Sequence, residues 1–175
     1  RRLLNLFAYT GVFSSACLLA GAEQAVDVDR SGPALQTAAA NARCNRVDRR
    51  HKVVHDDCLH FLHNCQERFD LVVCDPPTAA TGGRGWVSRR DYPALLEALR
   101  PRLNADALVV LCNNTIHRDA CDLDRLAERH LPALPPITAD RHPRLAEDIP
   151  QLRGFPEGRP YRLTAVGRAG ALSRA

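Results

Sequence analysis

Residues 69–83 read FDLVVCDPPTAATGG, and the order of residue types in this stretch decides the fold. Leu71-Val72-Val73-Cys74 is short, apolar, rich in β-branched residues and flanked by breakers, which marks a buried strand. The run ends on an acid, Asp75, followed by Pro76 and Pro77. Neither proline can donate to a ladder, and each pushes the residue before it out of helical geometry. The sequence thus fixes a carboxylate on a stiff, extended exit at the carboxyl end of a strand.

On either side of this strand, apolar runs alternate with helical patterns. Residues 3–7 form a short apolar run, and residues 12–20 read as a helix closed by Gly21. Residues 25–29 are a second strand. Ser31 is a helix cap with Pro33 in the first turn, and Leu35, Ala38, Ala39 and Ala42 then form one buried stripe. Residues 52–55 are a third strand and residues 58–65 a short helix. Downstream, Leu95, Ala98, Leu99 and Leu103 mark a helix, residues 107–112 a fifth strand, and Leu123, Leu126, Ala127 and Leu131 another helix. Strand-like pieces at 137–139 and 161–166 are separated by a loop rich in Pro, Arg and Gly. This alternation predicts an α/β fold, a mostly parallel sheet with helices on both faces.

A chain of 175 residues is one domain's worth, long enough for a sizeable core. The seven cysteines are an odd set without paired spacing, which disfavours a disulfide framework and points to a reducing compartment. The sequence contains no methionine, so a piece of a longer chain is expected. Arg1-Arg2 before an apolar stretch could pass for a secretory signal, but Asn5, Tyr9, Thr10, Gly11, Ser14 and Ser15 interrupt its core. No run reaches the roughly 18 apolar residues that a membrane span needs, so no membrane association is expected. The net charge is +4, and nearly all the basic residues are Arg. Clusters at 43–52 and 84–90 and around Arg141 and Arg144 suit either a solvated surface or a phosphate-rich partner such as nucleic acid.

In a doubly wound sheet, ligands sit outside the carboxyl ends of the strands, near the switch point. Residues 5–11 follow the first strand and open the first helix, with Gly11 free to take positive φ and bring backbone close to a ligand. Asp29 ends the second strand, where a carboxylate can accept both ribose hydroxyls of a nucleoside-type cofactor; capping the next helix is the alternative. Asp57, just past the third strand, can accept from an adenine amine or cap its helix. Together with Asp75 these acids occupy three successive strand ends. Cys58, His60, His63 and Cys65 are ligand types, but at 100° per residue the cysteines share a face with Leu62 while the histidines point away. That is an amphipathic helix, and no metal is assigned. Residues 78–90 combine three glycines, three arginines and Trp86, and are expected to be a mobile loop that faces RNA.

Four stretches carry a resemblance: Asn5-Leu6-Phe7-Ala8-Tyr9-Thr10-Gly11, Val28-Asp29-Arg30-Ser31, residues 41–45, and Phe69-Asp70-Leu71 through Asp75-Pro76-Pro77. The chain resembles the class I S-adenosylmethionine-dependent methyltransferases of bacterial 23S ribosomal RNA. Asp75-Pro76-Pro77-Thr78, Arg90-Asp91-Tyr92 and Cys112-Asn113-Asn114 are similar to the guanine-N7 branch. His142-Pro143, Phe155-Pro156-Glu157-Gly158 and Tyr161-Arg162-Leu163 are similar to the cytosine-C5 branch. Val12 stands where many members have a second glycine.

The resemblance implies a Rossmann-like, seven-stranded sheet with its last strand antiparallel. It further implies S-adenosyl-L-methionine as cofactor, 23S rRNA as partner, a cytoplasmic location, and residues 1–175 as the catalytic domain of a protein whose upstream RNA-binding part is missing. It places Asn5, Phe7, Tyr9, Thr10, Gly11, Asp29, Arg30, Asp57 and Asp75 at the cofactor, and Pro76, Pro77, Thr78, Trp86 and Arg89 at the substrate, with Asp75 and Asn113 catalytic. The C5 branch adds a cysteine thiolate to the ring first, at the position where this chain has Asn113. Two rivals stay open, C5 chemistry through Cys112 and a non-catalytic module that binds RNA or a partner.

Overall fold

The computed structural model describes residues 1–77, 85–114, 122–137 and 161–167. Its centre is a six-stranded sheet in the order β3-β2-β1-β4-β5-β6, formed by β1 (Arg2–Leu6), β2 (Gln24–Asp29), β3 (His51–His55), β4 (Phe69–Cys74), β5 (Leu103–Asn114) and β6 (Tyr161–Val166). All neighbouring pairs from β3 to β5 are parallel, and β6 runs antiparallel to β5. Seven strands were expected. Among the described residues the seventh position holds a single antiparallel bridge, Pro136 to Val166, with the Ile137 N–H donating to the Ala165 carbonyl at 3.0 Å.

Among the described residues, five helices connect and cover the sheet: α1 (Val12–Leu19), α2 (Gly32–Cys44), α3 (Cys58–Asn64), α4 (Ser88–Leu99) and α5 (Leu123–His130). Helices α1 and α2 lie on one face, where Leu18 and Ala42 pack with Leu3, Ala25 and Val73. The other three lie on the opposite face, where Leu62, Tyr92, Leu96 and Leu123 pack with Leu4, Leu6, Val72, Val109 and Leu111. Residues therefore alternate between two cores along the central strands β1, β2, β4 and β5, which is why these read as nearly continuous apolar runs, whereas β3 at the edge has no buried residue. Each fully buried leucine contributes about 1.5–3 kcal/mol by leaving water.

Local signals account for most helix boundaries. The Ser31 hydroxyl accepts from the Ala34 N–H at 3.3 Å and Pro33 occupies the first turn of α2. Asp122 caps α5 by accepting from the Arg125 N–H at 3.1 Å. In α3, Cys58 and Leu62 are buried together with Cys65, while His60 and His63 are exposed. Two boundaries differ from expectation. Leu103 opens β5 instead of closing α4, because Pro101 removes a helical donor and the chain passes through a 3-10 turn at Arg100–Arg102. Ser88, Arg89 and Arg90 belong to α4 rather than to a loop; the Asp91 carboxylate accepts from the Val87 N–H at 2.7 Å and stands in for the missing cap. Among the described residues, no helix is long and apolar enough to cross a membrane.

Candidate active site

Strand order reverses between β1 and β4, whose pairing runs from Leu3↔Leu71 to Leu6↔Cys74. The crevice at this switch point is the place for a ligand. Its floor is the turn after β1. Phe7 (φ 59°), Tyr9 (φ 49°) and Gly11 (φ 71°) all take left-handed backbone, which costs a non-glycine residue of order 1–3 kcal/mol. Several bonds hold this turn in place. The Ala8 N–H donates to the Val28 carbonyl at 3.1 Å, and the Asn41 amide donates to the Thr10 carbonyl at 3.0 Å. The Tyr9 N–H donates to Asp29 Oδ2 at 2.9 Å.

Asp29 is half-buried at the end of β2. Its other oxygen, Oδ1, accepts from the Ser31 N–H at 2.7 Å. The carboxylate thus locks the turns after β1 and β2 together, and each oxygen keeps a second lone pair for a ligand hydroxyl. Asp57 is exposed, and its Oδ1 caps α3 by accepting from the Leu59 and His60 N–H groups at 3.0 and 3.1 Å. Capping is therefore part of its work, with Oδ2 left toward solvent. Arg30 is exposed beside Asp29, and its carbonyl accepts from His55 Nε2 at 2.9 Å.

Two residues at the turn also serve the framework beneath it. The Asn5 side chain is 1% exposed and donates to Asp27 Oδ1 at 2.9 Å and to the Ser14 hydroxyl at 3.3 Å. It belongs to the framework under the turn. Gly11 takes the expected positive φ, and the space around it demands glycine as well. A Cβ there would meet Asp27 Oδ2 at 2.5 Å and the Ala38 methyl at 2.8 Å. Sequence reasoning missed Asp27 itself. It is fully buried and joins Asn5, the Ser14 hydroxyl and His51, whose Nε2 lies 2.7 Å from Oδ2.

The opposite wall begins at Asp75. Its N–H reaches the Leu6 carbonyl at 3.5 Å, which closes the last β1–β4 pair, Leu6↔Cys74, and sets Asp75 at the end of the ladder where the turn after β1 begins. Asp75 is half-buried, Pro76 buried and Pro77 exposed; Thr78 lies outside the described residues. Trp86 does not project freely. It is half-buried, its ring meeting Phe7 edge-on at 4.8 Å and Tyr92 at 5.2 Å, and its Nε1 donates to the Ser88 hydroxyl at 3.0 Å. Arg89 is exposed on the first turn of α4. Most of the expected loop, residues 78–84, lies outside the described residues.

On β5, Asn113 is 1% exposed and, among the described residues, its Nδ2 has no hydrogen-bond partner. Buried polar atoms are almost always paired, so an orphaned donor at the carboxyl end of a strand marks where a ligand acceptor is required. Cys112 is 0% exposed. Val109 and Leu111 face the core under α4 while Val110 faces the other, so alternation points Asn113 to the α4 side and Cys112 away from it. Tyr92 was also missed as more than core. Its hydroxyl donates to the Cys74 and Cys112 carbonyls, at the ends of both strands. Asp57, Asp29, the turn at 7–11, Asp75 and Asn113 therefore stand in line along the carboxyl edge of the sheet.

Comparison with known proteins gives concordant findings. Residues 1–149 match the S-adenosylmethionine-dependent methyltransferase family. The ribosomal RNA large subunit methyltransferase K/L of Aeromonas salmonicida is 39% identical over 121 residues, which are 67% of this chain and 17% of that relative. The chain thus spans less than a fifth of such relatives. A crystal structure described as a methyltransferase complexed with SAH superposes with a TM-score of 0.79 at 19% identity, covering 95% of this chain and 45% of that one. The S-adenosylmethionine-dependent methyltransferase of Agrobacterium tumefaciens gives a TM-score of 0.66 at 27% identity, covering 74% of this chain and 44% of that one.

Proposed function

The chain belongs to the S-adenosylmethionine-dependent methyltransferases, and from that premise we propose that it methylates large-subunit ribosomal RNA at guanine N7. The observation that carries the finer reading is the orphaned Nδ2 of Asn113, buried at the site wall opposite the turn. A donor without an acceptor calls for a substrate edge rich in acceptors. The major-groove edge of guanine offers two, O6 and N7. With Asn113 donating to O6, the N7 lone pair is left free and oriented.

When bound, S-adenosylmethionine supplies an electrophilic methyl group on a sulfonium. Attack by the N7 lone pair would form the new N–C bond as the C–S bond broke toward sulfur, and no proton would leave the base. No general base is needed, so the work of the protein is orientation and exclusion of water. Asp29 holds the ribose through its two remaining lone pairs, and Asp57 accepts from the adenine amine. Asp75, stiffened by Pro76 and Pro77, faces the base and offsets the positive charge that grows on the ring. A C5 mechanism needs an accessible thiolate, and Cys112 is buried and directed away from Asn113. In this reading residues 1–175 are the catalytic domain of a longer cytoplasmic protein whose substrate is 23S rRNA, the substrate class named for the curated relative.

The test is methyl transfer by the full-length protein to undermodified 23S RNA, followed by nucleoside mass spectrometry. The reading expects 7-methylguanosine. Accumulation of 5-methylcytidine, or of no methylated nucleoside, overturns it.

A further inference from the structure

Tyr92 lies in the middle of α4, outside the groups assigned above to cofactor or base, and is 0% exposed. Its single O–H is shared between two backbone carbonyls, that of Cys74 at 3.3 Å and that of Cys112 at closer range. These carbonyls belong to the residues immediately before Asp75 and Asn113. The parallel register between β4 and β5 ends at Cys74↔Leu111, so beyond that pair no β4–β5 ladder bond sets the spacing of the two strand ends, and β5 is held there from its other side, by β6 through Asn114↔Tyr161. The hydroxyl bridges them where the ladder stops. Burial pushes the phenol far above its ordinary pKa, so the group stays protonated and remains a donor. A phenylalanine would fill the same volume without the cost of burying a hydroxyl; what the tyrosine adds is one donor that joins two strands. Its ring is braced by Trp86, and Trp86 in turn by Phe7 on the cofactor turn.

We propose that Tyr92 is a positioning residue whose hydroxyl fixes the separation and orientation of Asp75 and Asn113. The inference rests on the roles proposed above for those two residues. Displacing one wall of the site by about 1 Å costs roughly a hundredfold in rate, whereas the cofactor contacts around Asp29 lie on the far side of β1.

The experiment is Tyr92→Phe in the full-length protein. The expected result is SAH affinity within about twofold of wild type by calorimetry and kcat lowered roughly ten- to hundredfold. Faster hydrogen exchange at residues 75 and 113, with β1 to β3 unchanged, should accompany it. Because the hydroxyl acts through Asp75 and Asn113, adding Tyr92→Phe to the Asp75→Ala/Asn113→Ala double variant should slow it no further. Incorporating 3-fluorotyrosine at position 92, which keeps the hydroxyl, should restore the rate. Wild-type turnover in Tyr92→Phe beside a slow Asp75→Ala or Asn113→Ala overturns the inference, as does further slowing when Tyr92→Phe is added to the Asp75→Ala/Asn113→Ala double variant. Should Tyr92→Phe not fold, a slow 3-fluorotyrosine enzyme overturns it instead. If Asp75→Ala and Asn113→Ala both turn over normally, the proposed function falls, and unchanged exchange at 75 and 113 in Tyr92→Phe then decides against the bridge separately.

Discussion

Replacing Asp29 by alanine removes a group that does two things, and the structure separates their sizes. Within the protein, the carboxylate accepts from the Tyr9 N–H at 2.9 Å and the Ser31 N–H at 2.7 Å. Hydrogen bonds to a charged group contribute about 1.5–3 kcal/mol when buried. The Tyr9 bond is exposed and the Ser31 bond only half-buried, so water replaces most of each loss and the stability cost should be about 1–2 kcal/mol. Toward the cofactor, the lost ribose contact should cost a further 1.5–3 kcal/mol or so, roughly ten- to a hundredfold in Kd. Calorimetry with SAH measures the total. The same titration with a 2′,3′-dideoxyribose analogue isolates the ribose part, since the analogue cannot use the carboxylate and should lose little further affinity in the variant. Asp29→Asn should fall between, because its Oδ1 can still accept from Ser31 while its Nδ2 cannot accept from Tyr9. Wild-type SAH affinity in Asp29→Ala refutes the assignment. Equal losses for SAH and the analogue refute a direct contact and leave Asp29 as a brace for the turn.

Gly11→Ala should lose at least about 1–2 kcal/mol of stability from left-handed backbone alone, and more from the 2.5 Å approach to Asp27; an unchanged urea midpoint would show that the turn relaxes freely. Asp75→Ala should slow methyl transfer while sparing SAH binding, and Cys112→Ser should leave the rate close to wild type. A folded but inactive Cys112→Ser would favour C5 chemistry. Asp70 supplies a pH test far from the site. Burial pushes its carboxyl upward, but the Arg2 N–H at 2.8 Å and the Asn104 amide at 2.7 Å outweigh that and hold it below its ordinary value. A depressed folded-state pKa contributes stability above the unfolded value, lost as pH falls through the folded one. Asp70→Asn should therefore be less stable than wild type at pH 7, with the gap closing below about pH 4. A gap of constant size across that window in urea unfolding would refute the assignment.

The fold and the acids at its strand ends were legible because both are local. Leu71-Val72-Val73-Cys74 reads as a strand within its own few residues, and Asp75 follows it directly. Asp29 and Asp57 stand out in the same way. What the sequence hid depends on contacts between distant positions. Asp27 lies in Val26-Asp27-Val28, where alternation alone suggests a solvent-facing side chain. Helices cover both faces, so it is buried instead, with Asn5 22 residues upstream and His51 24 residues downstream. Tyr92 reads as one more core residue of an amphipathic helix, and its hydroxyl partners lie 18 and 20 residues away.

The same hidden contacts explain why the strained turn persists. Left-handed backbone at Phe7 and Tyr9 is unfavourable, and a five-residue turn cannot enforce it alone. Asp29 holds the turn by the Tyr9 N–H. Asp27 fills the space beneath Gly11, anchored by Asn5 on β1, by Ser14 in the first turn of α1 and by His51 on β3. Two carboxyl groups two residues apart on β2, one inside the sheet and one at its rim, thus over-determine a single loop. A carboxyl at position 27 does nothing for a ligand directly. It lets α1 begin so close to β2 that only glycine fits between them, and that close start sets where the turn, and with it Asp29, meets the crevice.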